Sequence, residues 1–204
     1  MGASVASDSV HLTQTLAILD EQAARGRAIS WIGVFGGLLM ATAIQIPERR
    51  PPGHWAASAA LLIIALVSAA VLFSSRGRAG VDSQKVFRLG LVTTTGVLVV
   101  IYYTGPFSPG ALALFMGIYY FGLGDSRRHG LTILSMCVVG YAALGFAATA
   151  RLLPVGESLL PLAESSPLVH AVSTVVVTTF LGLTYWLART SRAASLEKTW
   201  LDAQ

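Results

Sequence analysis

Six uncharged apolar runs, each close to the length of a bilayer-crossing helix, leave this chain few folds. They are Ile29 to Ile46, Trp55 to Phe73, Leu89 to Gly105, Phe107 to Gly124, Gly130 to Ala150 and Leu168 to Ala188, and none contains Asp, Glu, Lys or Arg. A hydrocarbon core about 30 Å thick takes about 20 helical residues at 1.5 Å each, and charged side chains are costly at its centre. Barrel strands alternate over about ten residues and do not produce such unbroken runs. The pattern predicts an all-α polytopic membrane protein with six transmembrane helices. Composition agrees, since 12% of residues are charged against about 25% in soluble domains.

Charge sets the expected orientation. With the N-terminus inside, the cytoplasmic connections hold Arg25, Arg27, Arg76, Arg78, Lys85, Arg88, Arg127, Arg128, Arg189, Arg192 and Lys198, 11 of the 14 basic residues, and the other side keeps Arg49, Arg50 and Arg151. Cytoplasmic segments carry such an excess, so both termini are expected inside (N-in/C-in). The first run starts too late for a signal peptide and follows Asp8, Asp20 and Glu21, so no cleavage is expected. Three regions follow: a cytoplasmic segment 1–28, a transmembrane domain 29–188 and a cytoplasmic exit helix 189–204. A net charge of +4 is too sparse for a duplex-binding stripe, so the expected partner is the lipid bilayer and not nucleic acid.

Prolines punctuate the outer connections, Pro47 to Gly53 and Thr104 to Gly110, because proline fixes φ and removes a donor. Between Arg151 and Pro167, leucines interspersed with Glu157 and Glu164 suit a short helix on the outer membrane surface. Gly33-x-x-x-Gly37 and Ala56-x-x-x-Ala60 allow close helix approach. Past the sixth run, Ala193, Leu196, Trp200 and Ala203 follow heptad spacing, so a helix is expected to run out of the membrane as a nascent coiled coil. At the other terminus, His11 to Ala24 has Leu12, Leu16 and Leu19 on one helical face, fitting either a surface helix or an unstructured tail.

Catalytic motifs are missing from these 204 residues, and no carboxylate lies inside a run, which disfavours catalysis here and proton-coupled transport. The single cysteine, Cys137, excludes an internal disulfide and a thiolate metal cage. His54 and His170 fall at the outer ends of the second and sixth runs. They read either as interfacial histidines wetted by headgroups or as ligand groups, with His170 positioned to bond a quinone carbonyl near Phe107; no metal site is expected. Tyr102 and Tyr103 fit an aromatic belt. Tyr119 and Tyr120, about a dozen residues into the fourth run, need hydrogen-bond partners in hydrocarbon. Thr93, Thr94 and Thr95 of the third run are the expected donors and acceptors, which makes Tyr119, Tyr120 and Thr94, with Trp200 in the tail, candidate relay residues.

The segment Tyr102-Tyr103-Thr104-Gly105-Pro106-Phe107-Ser108-Pro109, set between charge-free spans and followed by a span that exits toward a coiled coil, resembles a known class. It is similar to the N-terminal membrane sensor modules of bacterial signalling kinases, the quinone- and redox-sensing histidine kinases, and to the modules ahead of serine/threonine kinases and cyclases. In the quinone sensors a Gly-Gly-x-x-Asn-Pro-Phe segment occupies this loop; here there is one glycine, no asparagine, and Pro106-Phe107 follows directly. The resemblance implies a bacterial inner-membrane input domain, a homodimer, passing a lipophilic, redox or membrane-state signal through the sixth helix to a cytoplasmic kinase or cyclase. It implies Tyr102, Tyr103, Gly105, Pro106, Phe107 and His170 as ligand-binding residues, with a quinone as the ligand. The competing expectation is a stand-alone membrane protein, either a small transporter or channel subunit or an assembly factor.

Overall fold

A computed structural model describes residues 24, 26–42, 44–45, 54–74, 83–124, 126–150, 152 and 167–202, leaving aside the side chains at 109, 196 and 198–202. Six α-helices form among the described residues. They are α1 (Gly26–Thr42), α2 (His54–Ser74), α3 (Ser83–Thr104), α4 (Leu112–Gly122), α5 (Arg127–Thr149) and α6 (Pro167–Asp202), with a single 3-10 turn at Pro109–Ala111. No strand occurs among them. Four helices, α2, α3, α5 and α6, are long and apolar enough to cross a membrane; α1 and α4 are apolar but shorter.

Local chemistry sets the helix ends. Ser126 caps α5 by accepting from the His129 N–H at 3.3 Å. The fourth apolar run was expected to be helical from Phe107, but α4 begins only at Leu112. Pro106 and Pro109 remove two backbone donors, and the chain passes through a turn and the 3-10 segment first. The sixth run, in contrast, continues unbroken past Ala188, giving α6 36 residues and a length of about 54 Å at 1.5 Å per residue. The expected helices within 11–24 and 151–167 fall almost wholly outside the described residues.

Several threonine hydroxyls inside the spans are satisfied within their own helices. Thr174, Thr178, Thr179 and Thr184 of α6 donate to carbonyls one turn back at 2.8–2.9 Å, as does Thr95 of α3. In hydrocarbon an unpaired hydroxyl has no water to turn to, so this back-bonding lets threonine sit where lipid is the neighbour.

The helices divide into two packed groups that share α3. Ala41 and Ile44 near the end of α1, Ala57 and Leu61 of α2 and Val100 of α3 form one cluster. Ile101 of α3, Leu114 and Ile118 of α4, Ile133, Cys137 and Tyr141 of α5 and Leu181 of α6 form the other. Val100 and Ile101, adjacent in sequence, thus face different groups. Small residues bring the backbones together, as interfaces without a hydrophobic drive between helices require. A Cβ at Gly37 would lie 2.9 Å from the Leu61 carbonyl oxygen and 3.2 Å from the Ala65 Cβ, and Gly33 faces Ser68, so the first small-residue motif is the α1–α2 contact. The second is used differently. Ala56 is exposed, while Ala57 and Ser58 are buried, and Gly96 of α3 comes close to the Ile64 side chain, with Ala60 in ordinary contact.

Candidate functional site

The turn between α3 and α4 is a fastened structure. Thr104 ends α3, and Gly105 follows at φ 92°, a left-handed conformation that glycine adopts without strain. The Thr104 hydroxyl donates to the Val100 carbonyl at 2.9 Å and lies 2.8 Å from the Ser108 hydroxyl; with its one proton committed to Val100, Ser108 is the donor of that pair. The Ser108 N–H closes the turn on the Gly105 carbonyl at 3.1 Å.

Two neighbouring helices grip this turn. From α5, the Tyr141 hydroxyl donates to the Pro106 carbonyl at 2.8 Å, in a buried bond that spans 35 residues of sequence. From α6, the His170 imidazole stacks on the Phe107 ring with centroids 4.7 Å apart and planes at 14°. Pro106 and Tyr141 are buried, while Phe107 and His170 are half-buried. Phe107 and His170 therefore stand together, half-buried, at one end of the bundle. The pair presents two stacked flat rings, one of them an imidazole.

Other residues named from the sequence are placed apart from this pair. Tyr103 packs on the α1–α2 cluster, and Tyr102 is exposed. Thr94 is buried on α3 and shares a hydrogen bond with the Cys137 thiol of α5. Tyr119 is exposed and Tyr120 meets Phe121 edge-on at 5.3 Å. Because α4 stops at Gly122, both tyrosines lie in its final turn and not in its middle. Trp200 belongs to the last turns of α6, and its side chain is outside the described set.

His54, buried at the start of α2 with Nε2 unpartnered, lies beside Trp55. Gln45 Nε2 bonds the Ser58 hydroxyl one turn further along α2 at 2.8 Å. Among the described residues no group of three or more His, Cys, Asp or Glu side chains is placed to hold a metal ion. Tyr141 was not singled out from the sequence. The available signal was a lone phenol inside the fifth apolar run, a group that needs a partner once buried.

At the opposite end of the bundle, Phe87 of α3 stacks on His129 of α5 with centroids 4.1 Å apart. There the guanidinium groups of Arg189 and Arg192 on α6 reach the chain segment between α4 and α5. Compared with known protein families, with curated proteins and with solved structures, the chain matches none.

Proposed function

We propose that this chain is a six-span membrane input module, oriented with both termini in the cytoplasm of a bacterium, whose sixth helix carries a signal to a kinase or cyclase. One observation carries the reading: α6 is a single helix of 36 residues that packs on α4 and α5 yet buries few of its residues. Its buried described residues are Thr174, Leu181 and Ala188, spaced by seven. About 54 Å of helix exceeds the roughly 30 Å of hydrocarbon by several turns, so a rigid element leads from the Phe107 end to beyond the far interface.

His170 and Arg189 are 19 residues apart on α6, about 28 Å, which matches the hydrocarbon thickness. In this reading the contacts to the turn and to the α4–α5 segment sit at the two interfaces. The Phe107–His170 pair is the input site, and a lipophilic quinone, flat and carbonyl-bearing, is the ligand class that suits stacking plus one imidazole hydrogen bond. The shorter helices α1 and α4 complete the six spans, and the heptad beyond Arg192 supports a homodimer. The positive-inside distribution and the resemblance to sensor modules of signalling kinases support the same orientation.

The test is a fusion of the chain, through its exit helix, to a histidine-kinase catalytic core in vesicles containing ubiquinone. Autophosphorylation is expected to differ at least three-fold between oxidised and reduced quinone, and the difference is expected to vanish in Phe107→Ala and His170→Ala. Equal activity in both redox states, in fusions joined at each of seven successive residues, overturns the reading.

A further inference from the structure

A helix C-terminus leaves carbonyls without an intrahelical donor, and their partners must be found elsewhere. At the end of α4 the Tyr119 carbonyl is taken by the Leu123 N–H at 3.1 Å and the Phe121 carbonyl by the Gly124 N–H at 3.2 Å. Gly122 and Gly124 are supplied from another helix. Arg189 Nη1 lies 3.0 Å from the Gly124 carbonyl oxygen and 3.4 Å from that of Gly122, and Arg192 Nη1 also donates to Gly124. Two cations thus meet the negative end of the α4 dipole, a favourable arrangement.

The close approach is built by small residues. A Cβ at Gly122 would lie 2.6 Å from the Ala188 Cβ, and one at Gly130 would lie 3.0 Å from the Tyr185 ring. Ala188 is the last buried described residue of α6. Beyond Arg192, Ala193, Ala194, Ser195 and Glu197 are all exposed. Arg189 and Arg192 therefore fasten the helix where its burial ends among the described residues.

We propose that Arg189 and Arg192 form a latch, which holds the exit helix in one rotational phase against the Gly122–Gly124 carbonyls and opens when α6 turns or slides. Opening does not strand two charges. At a membrane interface, headgroup phosphates offer guanidinium groups the same charge-assisted bonds, so release exchanges one acceptor for another. The inference rests on the input-module reading only for the direction of the signal; the latch is a property of α6 that is measured without stimulus or kinase.

The experiment is pulsed electron spin resonance on the full chain in lipid nanodiscs, with Cys137→Ser as background. Spin labels at Thr132→Cys and Ala194→Cys report the exit helix, and labels at Leu112→Cys and Leu168→Cys report the other end. Arg189→Ala with Arg192→Ala is expected to shift or broaden the exit distance by about 5 Å or more, the scale of a side chain carried around a helix about 10–12 Å wide, and to leave the other pair unchanged. An unaltered exit distance overturns the latch, and so does an equal shift at both pairs, since the arginines would then hold the whole helix. If the alanine pair does not fold, Arg189→Lys with Arg192→Lys takes its place. Lysine has no planar fork to span two carbonyls, so a broadened exit distribution is expected and an unchanged one overturns the proposal.

Discussion

Two helices long and apolar enough to cross a membrane, α2 and α6, are covered to very different degrees. Along α2, His54, Ala57, Ser58, Leu61, Ile64, Ala65, Ser68 and Leu72 are buried, because α1 lies against one flank and α3 against the other. Along α6 only Thr174, Leu181 and Ala188 are buried among the described side chains, while Val172, Val176, Phe180, Leu183 and Trp186 are exposed. Both are apolar enough to cross a membrane, and because lipid is as apolar as a protein interior, hydropathy alone does not dictate which of them is covered by protein. The difference lies in coverage: α2 is a stave enclosed by α1 and α3, whereas α6 packs on α4 and α5 with few of its residues buried, and in the function proposed above it is the lever.

The comparison breaks most readily at the glycines. Gly37→Leu would force a side chain into the Leu61 carbonyl at the α1–α2 contact, and a loss of about 3 kcal/mol is expected. Gly182→Leu on α6, where nothing lies within 4 Å, is expected to stay within about 0.5 kcal/mol. Detergent-denaturation midpoints of the two variants measure this directly, and equal losses would erase the distinction between stave and lever.

A second contrast sharpens the sparse burial along α6. Leu181 is fully buried and its neighbour Phe180 is 55% exposed. Leu181→Ala is expected to cost about 2–3 kcal/mol through the cavity it leaves, and Phe180→Ala less than about 0.5 kcal/mol. Comparable costs would mean that the exposed face of α6 is held as firmly as the buried one.

The smaller effects concern the turn. Tyr141→Phe removes the donor to the buried Pro106 carbonyl, at about 1–2 kcal/mol. Faster hydrogen exchange at Ser108 and Gly110, with α2 amides unchanged, is the expected sign. His170→Ala removes the ring stacked on Phe107, worth about 1 kcal/mol, and is expected to speed exchange at the same amides to a lesser degree. If Tyr141→Phe leaves those amides protected, the turn is held by its own hydrogen bonds and not by α5.

Much of the fold was legible because charge-free runs mark helices irrespective of what packs on them. Trp55 to Phe73 became His54–Ser74, and the heptad past Ala188 correctly implied that α6 continues. The start of α4 was misjudged because hydropathy continues through Phe107, although Pro106 and Pro109 prevent a regular helix there. Phe107 and His170 were legible as neighbours, since both fall at the same end of their spans. The Tyr141 bond and the Arg189 and Arg192 contacts were not, because their acceptors are backbone carbonyls, which every residue has. Thr94 shows the same limit: its hydroxyl was visible, but its partner Cys137 depends on the rotation of α5 about its axis, which a uniformly apolar helix does not reveal.

The most direct test of the account compares motion in the two regions under stimulus. With the chain in nanodiscs containing ubiquinone, spin-label distances are measured between Thr132→Cys and Ala194→Cys, across α5 and α6, and between Ala70→Cys and Arg88→Cys, across α2 and α3. The account predicts that switching from oxidised to reduced quinone moves the first distance by several ångströms, about the scale of one residue of helix rotation, and leaves the second unchanged. A first distance that stays fixed while quinone is bound, or two distances that change together, would contradict it.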